Sequence, residues 1–123
     1  MTSIGNQAFS SCSRLTEVNW NVTKLTSQLA EASSIFYNAG TSGTGITVNI
    51  GESVEELPAY LFYISTTANR PNITSVVLPT DSTWVYSETK GATTGTAVSV
   101  TATALATNLK NAWRTYYLIR TDN

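Results

Sequence analysis

The groups this 123-residue chain offers for chemistry are eight carboxylates, seven lysine or arginine side chains, one cysteine and no histidine. A nucleophile needs a neighbouring base to take its proton, and most zinc sites need histidine or paired cysteine. Neither set is present, since Cys12 stands alone. A pair of carboxylates is the one remaining route to acid–base catalysis. Glu55 and Glu56 are adjacent, so in a strand they diverge, and Glu17, Glu31, Glu52 and Asp81 show no motif spacing. The stretch "GTSGTG" (40–45) lacks the lysine and the following helix of a phosphate loop, and it reads as an insertion loop. The expectation is a protein that is not an enzyme, with no catalytic residue, no metal site and no cofactor.

Composition narrows the class further. Hydrophobic residues make up 41% of the chain, enough for a modest core, while charged residues make up only 12%, about half the usual share of roughly 25%. Serine, threonine and asparagine fill the remaining surface, as suits a sheet-rich extracellular protein. A formal net charge of -1 without any Lys/Arg run argues against nucleic acid, because phosphates need a concentrated positive footprint. The longest apolar run, "YLFYI" (60–64), falls far short of the roughly 20 residues of a spanning helix, so this segment is expected not to insert into a membrane.

The elements that would position any site come from a repeat. "MTSIGNQAF" (1–9) aligns without gaps on "VEELPAYLF" (54–62), pairing Ile4 with Leu57 and Phe9 with Phe62. "LTEVNW" (15–20) aligns on "ITSVVL" (73–78), and a middle copy supplies "IFYNA" (35–39) and "TVNI" (47–50). Phe9, Phe36 and Phe62 then hold one repeat position and are expected to stack as a column. Cys12, Ala39 and Ser65 hold another, which predicts a small buried slot and an unreactive Cys12 thiol. The segments "SQLAEA", "GTSGTG" and "TTANRPN" are insertions between conserved-spacing positions, and such insertions map to loops on one face.

In the strands, alternation turns Val18 and Trp20, and their counterparts, into the core. The residues between point outward: Glu17, Thr47 and Ser75 in one row, Asn19, Asn49 and Val77 in the next. Parallel strands would stack these rows at about 4.8 Å per step. Asn19 and Asn49 then either form a solvated ladder or belong to a binding face; both readings stand at this point.

"TSIGNQAFSSCSRLTEVNW", with the weaker copies "VEELPAYLF" and "NITSVVLP", resembles the BspA-like, or treponemal-type, leucine-rich repeats of bacterial surface proteins. The resemblance covers roughly residues 1–79 and implies an α/β-type, mainly β repeat solenoid with a short parallel sheet. It places Met1 where a valine normally leads the repeat, so that the chain begins inside a solenoid whose first coil is the least stable. It also implies a secreted or cell-surface module for adhesion, whose concave face (Glu17, Asn19, Thr47, Asn49, Ser75 and Val77) receives an extracellular or host protein. The competing reading is a structural spacer and solenoid cap with no ligand of its own.

Residues 80–123 break the repeat and read as a C-terminal capping segment of β-β-α-β order. Strands are expected at Trp84–Tyr86 and Val98–Val100, a short helix through Leu105 and Leu109 with Thr103 as N-cap, and a final strand in "TYYLIR" (115–120). Trp84, Tyr86, Tyr116 and Tyr117 are expected mostly in the core. Exposed, they would serve a carbohydrate-binding module, which makes a glycan the less favoured partner.

Overall fold

The computed structural model describes residues 3–122. Three strands, β1 (Glu17–Trp20), β2 (Ile46–Ile50) and a later strand at Ile73–Val77, form one parallel sheet. Between the second and third of these lies the short β3 (Glu56–Leu57), so the third is β4. The expected parallel pairing is found with the expected register: Glu17 faces Thr47 and Thr47 faces Ser75, while Asn19 faces Asn49 and Asn49 faces Val77. A bulge at Thr74 shifts the ladder between Ile46 and Thr47. It is accommodated by Gly45, which has φ of 115° and where a Cβ would lie 2.4 Å from Thr74 Cγ2.

Alternation seats Trp20, Val48, Ile50 and Val76 in the core, with Val18 half-buried at the sheet edge. Behind the sheet, the chain passes before each strand stack on one another. Phe9 N–H donates to the Ile35 carbonyl and Ser11 N–H to Tyr37, while Asn38 N–H donates to Asn69. The expected phenylalanine column is present: Phe9 and Phe36 lie 5.1 Å apart at 14°, and Phe36 and Phe62 lie 5.5 Å apart at 38°. Two residues before each ring, Gln7, Ser34 and Tyr60 all take positive φ, at 57°, 47° and 65°. The backbone thus turns the same way three times to aim a phenyl ring inward, at a steric cost that packing of the rings must offset.

The small slot is different from expectation. Ala39 is fully buried, but Cys12 is exposed. The Cys12 carbonyl accepts from Gly40 N–H, so the backbone is anchored to the next pass, yet among the described residues nothing stacks on its outer side. Ser65 is also exposed, because the ladder places Asn72 N–H on the Ala39 carbonyl and leaves 65–69, with a 3-10 turn at Thr67–Asn69, as an insertion ahead of the slot. The expectation for Met1 lies outside the described residues.

A second, antiparallel sheet has the order β3, β7 (Tyr117–Arg120), β5 (Trp84–Ser87), β6 (Thr96–Ala97). The expected strand at Val98–Val100 is replaced by β6, two residues earlier; Val98 N–H still donates to the Trp84 carbonyl, but Val100 turns out to solvent. The one α-helix among the described residues, α1 (Ala102–Lys110), packs on β4 through Leu105, Ala106 and Leu109. Its N-cap is Thr101, not Thr103: the Thr101 hydroxyl accepts from Ala104 N–H at 3.2 Å. The last strand starts at Tyr117, two residues later than "TYYLIR" suggests. Among the described residues the structure is therefore mainly β, with two sheets and one α-helix around a main core that extends from Trp20 to Leu118, beside a smaller cluster of Ala59, Tyr117 and Ile119. None of its described helices is long and apolar enough to cross a membrane.

β3 ties the two parts together. Leu57 pairs with Leu118 and Glu56 with Ile119. The Glu56 side chain, only 4% exposed, accepts from Lys90 Nζ at 2.9 Å and from Gly91 N–H at 3.1 Å. A buried carboxylate with two charge-assisted or backbone donors is satisfied, and here it pins the 88–95 loop. Glu55 points the other way, toward Lys24 at 3.8 Å, so the two carboxylates diverge.

Candidate functional site

The outward rows of the parallel sheet form one continuous surface. Glu17, Asn19 and Val77 are exposed, and Thr47, Asn49 and Ser75 are half-buried between their neighbours. Asn49 sits at the centre: its Nδ2 donates to Asn19 Oδ1 at 3.1 Å and to Glu17 Oε2 at 3.3 Å. Thus β1 and β2 bring Glu17, Asn19 and Asn49 into one hydrogen-bonded cluster, as register requires. Thr47 and Ser75 stand beside it in the same row.

The far end of the surface is apolar. Val77 is 41% exposed and Val100 is 47% exposed. With Leu78 and Ala102 they line a cleft of about 250 Å³ where β4 meets the start of α1. Val100 belongs to this surface, and the sequence hides it: "VSV" reads as a strand that would bury alternate residues, whereas the chain leaves β6 early and caps the helix at Thr101. The surface therefore runs from a carboxylate through neutral amides and hydroxyls to two valines. It carries no lysine or arginine from the three strands, and it offers hydrogen bonds and apolar contact rather than a reacting group.

The aromatic residues of the last third divide. Trp84, Tyr86 and Tyr117 are buried, as the core reading expects. Tyr86 packs face to face with Trp113, at 4.3 Å and 9°, and Asn108 Nδ2 donates to its hydroxyl at 3.2 Å. Tyr116 is half-exposed and stands edge-on to Trp113 at 5.0 Å. Its hydroxyl donates to Glu88 Oε1 at 2.8 Å, and that bond to a carboxylate pushes the phenol pKa up from 10.0. Trp113 lies three residues past the end of α1.

Fold and surface together define a small, mainly β protein with an exposed, nearly uncharged parallel-sheet face. The chain matches no protein family, no curated protein and no solved structure.

Proposed function

We propose that this chain is a non-catalytic leucine-rich-repeat module of the BspA-like type, a short solenoid closed by a C-terminal capping segment, which binds an extracellular or host protein at the outward face of its parallel sheet. A secreted or bacterial cell-surface location goes with that reading. Support for the repeat comes from the three positive-φ turns at Gln7, Ser34 and Tyr60, each followed two residues later by a stacked phenylalanine. The observation that carries the function is the in-register outward row that ends in the exposed Val77 and Val100. The buried part of an interface is depleted in charged residues, and this face is uncharged except at Glu17 and offers exposed apolar area at Val77 and Val100.

One observation favours the spacer reading instead. The Asn49 amide already donates to both Asn19 and Glu17, as in an inert ladder. Binding to immobilised matrix proteins separates the two readings. A binding module retains at least one of them and loses it when the face is charged, whereas a spacer retains none.

A further inference from the structure

A second surface, independent of the parallel sheet, has the chemistry of a sugar site. The loop after β5 and the segment after α1 bound an open groove of about 360 Å³, a size within the roughly 300–1,000 Å³ of small-ligand sites. Trp113, stacked on Tyr86, and Tyr116 supply the aromatic wall. Glu88 supplies a carboxylate, of which Oε1 takes the Tyr116 hydroxyl. Thr94 and Thr96, each with a hydroxyl, line the same groove. The loop is held close to β5: a Cβ on Gly95 would lie 2.0 Å from the Tyr86 carbonyl oxygen, so only glycine lets this segment run so near the β5 backbone. The Glu56 contacts to Lys90 and Gly91 fix the same loop.

We propose that this groove binds a neutral sugar unit of a glycan. A pyranose presents C–H faces, which pack on aromatic rings, and a rim of hydroxyls, which need acceptors and donors at its edge. The groove offers both among its lining residues. Glu88 can accept a sugar hydroxyl through Oε2 while Tyr116 holds Oε1, and Thr94 and Thr96 can donate or accept. An acidic ligand would meet Glu88 with no lysine or arginine among the lining residues. A quaternary ammonium needs several ring faces around one point, and here Tyr86 and Trp113 spend a face on each other.

Tryptophan fluorescence tests the assignment, because Trp20 and Trp84 are buried and Trp113 is half-exposed. The protein is titrated with neutral hexoses and with short α- and β-linked glucans, galactans and mannans, with choline as the cationic control. The expected result is a saturable emission change with at least one neutral glycan, together with protection of Trp113 from acrylamide. Glu88→Gln and Tyr116→Phe, which leave the core rings in place, should each weaken that binding about tenfold with unchanged circular dichroism. Asn19→Lys/Asn49→Lys should leave it intact, which separates this site from the sheet face. No saturable change with any glycan, binding of choline instead, or glycan binding unaltered in both groove variants would overturn the proposal.

Discussion

Asn49 Nδ2 lies 3.1 Å from Asn19 Oδ1, across the pairing of β1 with β2. That contact is made on the solvent side of the sheet, so both residues can be changed without touching Trp20, Val48 or Ile50 behind them. Exposed hydrogen bonds contribute little net, and surface substitutions seldom cost more than a few tenths of a kcal/mol. Asn19→Lys/Asn49→Lys should therefore stay within about 1 kcal/mol of the parent in urea unfolding, with an unchanged m-value. Glu17 beside the new charges works in the same direction.

Phe36 is the opposite case. It is fully buried and lies between the rings of Phe9 and Phe62. Phe36→Ala should lower the unfolding free energy by about 3–5 kcal/mol, the range for a large aromatic removed from a packed core. Phe9→Ala, at the half-buried outer end of the column, should cost clearly less. Equal losses at the two positions, read from the same denaturation curves, would mean that the outer ring is as enclosed as the inner one.

Cys12 is solvent-exposed. A thiol-reactive dye should therefore label the native protein completely, with one equivalent and no need for denaturant, because access and thiolate fraction set the rate. Labelling that appears only on unfolding would restore the buried slot.

The end of the chain carries a pH-sensitive clamp. Asp122 accepts from Arg120 Nε at 2.8 Å and from Thr83 N–H at 3.1 Å. The Arg120 hydrogen bond, then the Thr83 amide, holds its pKa down to about 2 from the ordinary 3.8. A carboxyl with a depressed folded-state pKa stabilises above the unfolded value and loses that stabilisation as pH falls through the folded one. The melting temperature of the parent should exceed that of Asp122→Asn at pH 6, and the gap should close between about pH 4 and pH 2. A gap that persists at pH 2 would show that the clamp does not depend on the charge of Asp122.

Much of this architecture was legible in the sequence because it is written at fixed intervals. Leu15, Val18 and Trp20, matched against Ile73, Val76 and Leu78 and against the middle copy's Val48 and Ile50, were enough to set three strands, their direction and their register. Phe9, Phe36 and Phe62 were enough to set the column. What was hidden depends on residues far apart in the chain. Glu56 meets Lys90, and Tyr86 meets Trp113, without any local period to announce either pair. Cys12 misled for another reason: it occupies the same aligned position as Ala39, but burial needs a neighbour on both sides, and its outer side has none among the described residues. The helix cap slipped from Thr103 to Thr101 since either threonine fits the local pattern. With it went the strand at Val98–Val100, and Val100 became part of the outward surface.

The binding face is the central claim, and it is tested most directly by passing the parent protein and Asn19→Lys/Asn49→Lys, at matched concentration, over a panel of immobilised matrix proteins in a surface-plasmon instrument. The parent should bind at least one of them saturably, and the double variant should bind that protein at least tenfold more weakly, since two desolvated charges would face a partner across a surface that is now neutral. Parent binding that the double variant reproduces unchanged, or a parent that binds none of the panel, would contradict the assignment of this face.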